Sequence, residues 1–256
     1  MPIIQSVERA LQILDLFDEF HPELKISEIS TRMDLHKSTV HSLLKTLQAY
    51  NYIQQNPDNG KYRLGLKLLE RSGQLTDNLD IRQVAKRELE QLCHTTGQTV
   101  HLVVLDGKEG VYIDKVDGPK AVIRYSRIGR RIPLHCSAVG KALIAFAPSE
   151  KLQSILKNYS YVSHTEHTIA SEERFLEELA KVRDKGYAVD NQENEPGVYC
   201  IAVPLMNHTG DVVAAMSISM LVSRVTEQER YSYTKLLLET GELLSHQLGN
   251  GWTNRR

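Results

Sequence analysis

The densest run of side chains able to do chemistry is residues 127–143, where Arg127, Arg130 and Arg131 lead through Pro133, Leu134, His135 and Cys136 into Ser137-Ala138-Val139-Gly140-Lys141. A basic loop entering a helix capped by Ser137 presents free first-turn N–H groups and the positive end of a helix dipole, which suits a carboxylate. A Ser-capped helix with solvated arginines would have the same sequence. Further along, Asp190 opens an acidic turn that leads to an apolar strand carrying Cys200, and Ser217 and Ser219 interrupt another apolar stretch over 212–220. Residues two apart on a strand share a face, and a buried hydroxyl pair needs a hydrogen-bonding partner such as a ligand oxygen. A strand face open to solvent is the alternative.

Two other chemistries use the same residues. Cys200 or Cys136 as nucleophile with His135 as base would make a cysteine-dependent enzyme. His101, His135, Cys200 and Asp190 are competent zinc ligands and would make a metal sensor. No nucleophile, base and orienter are visible together, and the ligand spacings match no compact metal motif. The expectation is therefore no catalytic residue, no bound metal and no cofactor.

A basic surface is the second candidate site. From His36 to Lys67 the cations Lys37, Lys45, Lys61, Arg63 and Lys67 face a single acid, Asp58. On a helix over 37–50, Val40, Leu43, Leu44 and Leu47 form an apolar stripe, which leaves His36, Lys37, Ser38, Thr39, His41, Ser42 and Lys45 for a partner. Hydroxyl, imidazole and ammonium groups suit phosphates and base edges. A solvated surface helix is the plain alternative, and a protein-docking module another. Salt dependence separates DNA from protein as the partner.

The elements that position these residues follow from hydrophobic period. Val7, Ala10, Leu11, Leu14 and Phe17 predict a helix over 6–20 with Ser6 as its cap, and Ser27 can cap a short second helix carrying Ile29 and Met33. Strands over 52–55 and 61–64 flank a Pro and Asn-Gly turn. Three helices and a hairpin make a winged helix-turn-helix over 1–65, with Lys61 and Arg63 on the wing. A linker helix follows over 66–78. The remainder, 79–256, alternates in an α+β pattern: helices near 80–96, 138–147, 149–157, 171–186 and 226–248, and strands near 99–106, 110–117, 121–127, 187–190, 199–207 and 211–220. Thr226 with Glu229 has capping-box spacing.

Whole-chain properties constrain the class. With 256 residues, 41% hydrophobic, 25% charged and a formal net charge of −1, the chain reads as globular rather than disordered or globally basic. Three cysteines without CxxC spacing argue against a disulfide framework or zinc finger. No leader pattern opens the sequence, and its longest nearly apolar stretch falls short of the ~20 residues of a membrane helix. A cytoplasmic protein without a membrane partner is expected.

Ser6-Val7-Glu8-Arg9-Ala10-Leu11-Gln12-Ile13-Leu14 and Lys37-Ser38-Thr39-Val40-His41-Ser42-Leu43-Leu44-Lys45-Thr46-Leu47 resemble the start and recognition helix of IclR-family regulators, and Tyr62-Arg63-Leu64-Gly65 resembles their wing strand running into the linker. The family commonly has Gly-Leu-Pro before the recognition helix and Arg after its His, where this chain has Asp34-Leu35-His36 and Ser42. The resemblance implies a GAF-like effector domain. In its pocket the positions of His135, Ser137, Ala138, Val139, Gly140, Asp190, Cys200, Ser217 and Ser219 would meet a ligand. Amides around Ser137 to Gly140 and the two serine hydroxyls would hold a carboxylate, while Asp190 and Cys200 would contact its other end. It further implies double-stranded operator DNA, near-palindromic, read by a homodimer or homotetramer. The action expected is repression relieved by a small carboxylate, a keto acid or sugar-acid derivative; activation by the same architecture is the alternative. The low aromatic content, 6%, favours a hydrophilic ligand.

Overall fold

The computed structural model describes residues 3–18, 20–71, 80–120 and 126–250. The chain divides into two compact units, Met1–Asn78 and Leu79–Arg256.

The first unit begins with α1 (Gln5–Asp15), α2 (Ile26–Met33) and α3 (Lys37–Ala49), followed by β1 (Ile53–Gln55) and β2 (Tyr62–Leu64). The two strands pair antiparallel, Ile53 opposite Leu64 and Gln55 opposite Tyr62. Leu24 adds a bridge to Tyr62 through both of its backbone groups, at 2.8 and 2.9 Å. Ile13, Phe17, Leu24, Ile29, Val40, Leu44, Ile53 and Tyr62 are the buried core of this unit. Gly65 ends the wing where an added Cβ would lie 2.0 Å from the Asn51 carbonyl oxygen, so no larger residue fits that backbone.

Three local expectations need correction. The first helix stops at Asp15 rather than near 20, and Ile4, with no side-chain bond, caps it in place of Ser6. Of its expected apolar stripe only Phe17, beyond the helix end, is buried, joined by Ile13 within it; Val7 and Leu11 remain 53% and 58% exposed. The helix therefore carries two apolar faces, one packed on α3 and one open. At α2 the capping residue is Lys25 instead of Ser27, and its backbone N–H donates to the Glu28 carboxylate at 2.6 Å. Past the wing the chain is helical over 67–71, and the rest of the expected linker lies outside the described residues.

In the second unit α4 (Asp80–Thr96) precedes β3 (Thr99–Asp106) and β4 (Glu109–Val116). Then come β5 (Arg131–Pro133), α5 (Ala138–Ala145), α6 (Ser149–Leu156), α7 (Glu172–Lys185), β6 (Ala188–Asn191), β7 (Val198–Met206), β8 (Val212–Leu221) and α8 (Glu227–Gln247). The six strands form one antiparallel sheet in the order β5-β4-β3-β8-β7-β6. Strand alternation divides the core between its faces. Leu102, Ile201, Met216 and Ile218 pack with α4 and α8, whereas Val103, Ala202 and Ala215 pack under α5 and α7. β5 is an addition: the Arg131–Pro133 segment, read as loop, pairs with Glu109, Gly110 and Val111, and three residues are too few to show a period. The strand expected over 121–127 falls largely outside the described residues, and Ser126 and Arg127 are not in a strand.

The turn between α2 and α3 is made by Asp34 in the left-handed region, φ 52°. That conformation costs an L-residue free energy that glycine avoids. Asp34→Gly is expected to stabilise the first unit by about 0.5–1 kcal/mol, and Asp34→Val to destabilise it, in urea unfolding followed by circular dichroism.

Candidate DNA-binding surface and effector cavity

On α3, Val40 and Leu44 are turned inward, which places His36, Lys37, Ser38, His41, Ser42 and Lys45 in solvent, with Thr39 half-buried. Ser42 is not wholly free, since its hydroxyl donates to the Ser38 carbonyl at 3.1 Å. On the wing Arg63 is exposed and Lys61 half-buried. Glu23 was not singled out in the sequence. Its carboxylate accepts from the Asn59 and Asn56 side-chain amides at 2.9 and 3.2 Å, tying the wing turn to the segment before α2. Those bonds, with Arg63 and Lys61 nearby, hold its pKa below the ordinary range.

The second site is a cavity of about 370 Å³ in the α5 face of the sheet. Of the effector residues expected there, Ser137, Ala138, Val139, Asp190, Cys200, Ser217 and Ser219 line it. Register explains the convergence: Asp190 on β6 faces Cys200 on β7, which faces Ser219 on β8. Ser219 and the Cys200 thiol are 3.0 Å apart. The Ser137 hydroxyl accepts from the Gly140 N–H at 3.1 Å, as a cap should. The first-turn amides of Ala138 and Val139 have no partner within the helix itself. Gly140 is not at the cavity wall; an added Cβ would stand 2.4 Å from Leu134 Cα, so it allows the helix start to pack on the preceding strand.

His135 is likewise away from the lining. It is buried, its Nδ1 3.0 Å from the Tyr159 hydroxyl and its Nε2 3.0 Å from the Val162 carbonyl oxygen, with Tyr161 and Phe175 edge-on. Its side chain, with those of Cys136 and His164, brings potential metal-ligating atoms within 4.8 Å of one another. Both His135 nitrogens already have protein partners, and the Cys136 thiol donates to Asn194 Oδ1 at 3.6 Å. Burial pushes the Cys136 thiol up to about 12 and raises that of Cys200 as well, which disfavours thiolates in both.

Several lining residues were not recognised as ligand-facing: His101, which had been weighed only as a metal ligand, Tyr112, Ser126, Arg130 and Asn194. Tyr112 and His101 pack ring to ring with centroids 5.0 Å apart. A lone His or Tyr inside an apolar strand carries no signal that separates a core residue from a cavity residue. Lys141 was missed too, although it did carry one: it is the single charge in the otherwise apolar α5. Its side chain is 0% exposed, and its ammonium donates to Glu193 Oε1 at 2.6 Å and the Val189 carbonyl at 2.7 Å, with Glu178 at 3.5 Å.

Asp190 Oδ1 accepts the backbone N–H groups of Glu193 and Asn194 at 2.7 and 3.3 Å, shaping the turn after β6. Burial nonetheless pushes its pKa up to about 7. At neutral pH this carboxyl is therefore partly protonated and able to donate as well as accept a hydrogen bond.

A helix-turn-helix with an exposed basic face, followed by an α+β unit with a partly open cavity, is the architecture of a DNA-binding transcription regulator. Residues 6–57 match the IclR helix-turn-helix domain, and residues 73–246 match the bacterial transcriptional regulator IclR C-terminal domain. The chain belongs to the IclR family. It is 55% identical to the HTH-type transcriptional regulator XynR of Escherichia coli over 97% of this chain and 99% of that one. Among solved structures, Thermotoga maritima IclR superposes with TM-score 0.79 at 35% identity over 96% of this chain and 99% of that one. An IclR homologue from Microbacterium hydrocarbonoxydans, solved in complex with 4-hydroxybenzoate, gives 0.81 at 25% identity over 95% and 98%.

Two outcomes follow for the second unit. Lys141→Ala should destabilise it by about 3–5 kcal/mol, because the buried Glu193 carboxylate loses its cation, while Lys141→Met with Glu193→Leu should recover most of that loss. In the folded chain Asp190 keeps up to about pH 7 a proton that the unfolded chain gives up near pH 4. Stability contributed by this group therefore falls as pH rises through that window. Asp190→Asn should flatten the dependence and leave the variant more stable at pH 8 by on the order of 1 kcal/mol or more, read from denaturant midpoints across pH.

Proposed function

We propose that this regulator is a repressor released from its operator by a small organic acid bound in the 370 Å³ cavity. The cavity is the observation that carries the reading: its volume lies at the small end of the range for ligand sites. Its lining combines hydroxyls, a thiol, the Asp190 and Glu195 carboxyls, the Arg130 and Arg131 side chains and a helix N-terminus. The amides of Ala138 and Val139 and the hydroxyls of Ser217 and Ser219 would hold the carboxylate, and Asp190 and Cys200 would contact the other end of the ligand. A keto acid or a sugar-acid derivative fits that lining. Effector binding by the second unit is also supported by the Microbacterium hydrocarbonoxydans homologue, whose ligand is itself a small hydroxylated acid.

The functional parts are 1–65 for DNA, 66–78 as linker and 79–256 for the effector, in a cytoplasmic protein. Among the described residues no helix is long and apolar enough to cross a membrane. His36, Lys37, Ser38, Thr39, His41, Ser42 and Lys45 would enter the major groove, with Lys61 and Arg63 on the flanking backbone. One such helix reads few bases, so a dimer on a near-palindromic operator is the working unit. The open apolar face formed by Ile3, Ile4, Val7 and Leu11 supports self-association. Effector and operator affinities are coupled, and the coupling is reciprocal.

Fluorescence anisotropy on the regulator's own upstream DNA, across a salt series and with pyruvate, glyoxylate and D-gluconate as probes, tests this. Tight binding that one acid weakens is expected. Lys37→Ala and Arg63→Ala should each lower the log–log salt slope by about 1, while Val7→Glu with Leu11→Glu should yield monomers in light scattering and weaken operator binding. Operator affinity that responds to none of the acids would overturn the effector reading.

A further inference from the structure

Strand β4 meets the cavity at two positions and α4 at a third that lies between them. Tyr112 lines the cavity, and its backbone is bonded to the lining segment that follows, its N–H donating to the Arg130 carbonyl at 3.1 Å and its carbonyl accepting from the Gly129 N–H at 2.8 Å. Three residues on, the Lys115 ammonium donates at 2.9 Å to the carbonyl of Ser126, another lining residue. Asp114 stands between these two points. Its Oδ2 accepts from Arg82 Nε at 3.0 Å, and its Oδ1 accepts from the Lys115 N–H at 2.8 Å. Arg82 belongs to the first turn of α4, the helix that begins in the sequence where the proposed linker ends.

A bulge makes this arrangement possible. Tyr112 is opposite Val103 and Asp114 is opposite Leu102, so Ile113 is an extra residue in β4. Strict alternation would put Tyr112 and Asp114 on one face of the sheet. With the extra residue, Tyr112 joins Val103 in the core under α5, Ile113 joins Leu102 in the core under α4 and α8, and Asp114 is turned to α4. Bulges are common beside binding sites, where they re-aim a side chain.

We propose that the Arg82–Asp114 pair is a regulatory coupling between the effector cavity and the start of α4. This inference rests on the reading of the cavity as the site of a small acid, and it names the residues through which occupancy is felt at the linker end of the second unit. A ligand that shifts Tyr112, or the lining residues Ser126 and Arg130, shifts β4 on both sides of Asp114, and the carboxylate carries Arg82 with it. Directionality is the reason that the pair does this rather than the apolar packing of α4. A hydrogen bond weakens steeply as its angle opens, whereas the contacts of Ala85, Leu89 and Leu92 with the sheet are non-directional and let the helix slide. Arg82 and Asp114 are positioning residues, since neither lines the cavity.

The experiment is a double-mutant cycle on the full chain, with Arg82→Gln, Asp114→Asn and the two together. Calorimetry reads the affinity of each variant for pyruvate, glyoxylate and D-gluconate, and fluorescence anisotropy reads operator affinity with and without the acid that binds. In the unsubstituted chain the bound acid is expected to change operator affinity by about tenfold, within the usual range of coupling between sites. Each single variant should keep its acid affinity and its acid-free operator affinity within about threefold, yet respond to the acid by less than about twofold. The double variant should respond as the singles do, because the pair is one link. Amide hydrogen exchange over residues 84–88 should change on acid binding in the unsubstituted chain and stay unchanged in Asp114→Asn. A full response in either single variant would overturn the proposal, as would losses that add in the double variant. Loss of acid affinity itself would overturn it too, since Asp114 would then act on the cavity and not beyond it. An unsubstituted chain that binds none of the acids, or binds one without any operator response, is the separate failure of the effector reading and takes this inference with it.

Discussion

A lysine ammonium with no exposed surface stands in the middle of the helix that covers the sheet, and the effector-side architecture is organised around neutralising it. Leaving such a charge unpaired in a protein interior costs several kcal/mol, so Lys141 must be met from outside its own helix. It is met by Glu193 and the Val189 carbonyl, which belong to β6 and the turn beyond it, and by Glu178 on α7. One cation thereby ties α5 to two other elements. The tied turn delivers Asn194 and Glu195 to the cavity, and its shape is maintained by Asp190, whose carboxyl caps two of the turn's amides. The ion network and the cavity are thus neighbours sharing a backbone segment.

The sheet explains why the cavity is polar where it is. Along the α5 face, Ala202, Ala215 and Val103 lie under the helix and keep the contact close. On the same face, at neighbouring positions, Cys200, Ser217, Ser219 and His101 replace the aliphatic residues. The other face of these strands, under α4 and α8, is mainly Leu, Ile, Val and Met, with Ala214 and Tyr199 among them. Stability and recognition are therefore separated by strand alternation: one side of β3, β7 and β8 supplies most of the apolar burial, and the other can accept polar atoms at a modest cost because they satisfy one another.

Much of this was legible in the amino-acid order, and what escaped did so for identifiable reasons. β3, β7 and β8 stand near their expected limits because long apolar strands have a clear signature, and Thr226 caps α8 through the Thr226–Glu229 pair as the spacing implied. Ser217 and Ser219 stood out as a polar pair in an apolar strand. His101 looked the same as any histidine in a strand, since its meaning comes from register with β8, which no local window contains. His135, beside the helix cap in the chain, points instead into a tyrosine cluster contributed by residues 159 and 161. On α1 the period was correct while the face was ambiguous, because a helix with apolar residues on two sides does not declare which is covered. Lys141 was readable: a single charge in an apolar helix demands buried partners, and only their identity needed the fold.

The basic surface of the first unit shows how a local charge count can mislead when taken alone. Counting from His36 onward leaves out Glu23, which reaches the wing and holds Asn56 and Asn59 while Lys61 and Arg63 stand near enough to lower its pKa. The wing's positive charge is thus partly offset by the acid that gives the wing its shape. On α3 no acid is found in the first turn, and Lys37 and Lys45 have no such neighbour on the helix itself. The cations of α3 therefore stand without an acid on their own helix, while those of the wing are partly offset. That division would suit a reader of base edges, with the unopposed cations on the helix proposed to enter the groove and one carboxylate beside the wing holding its turn.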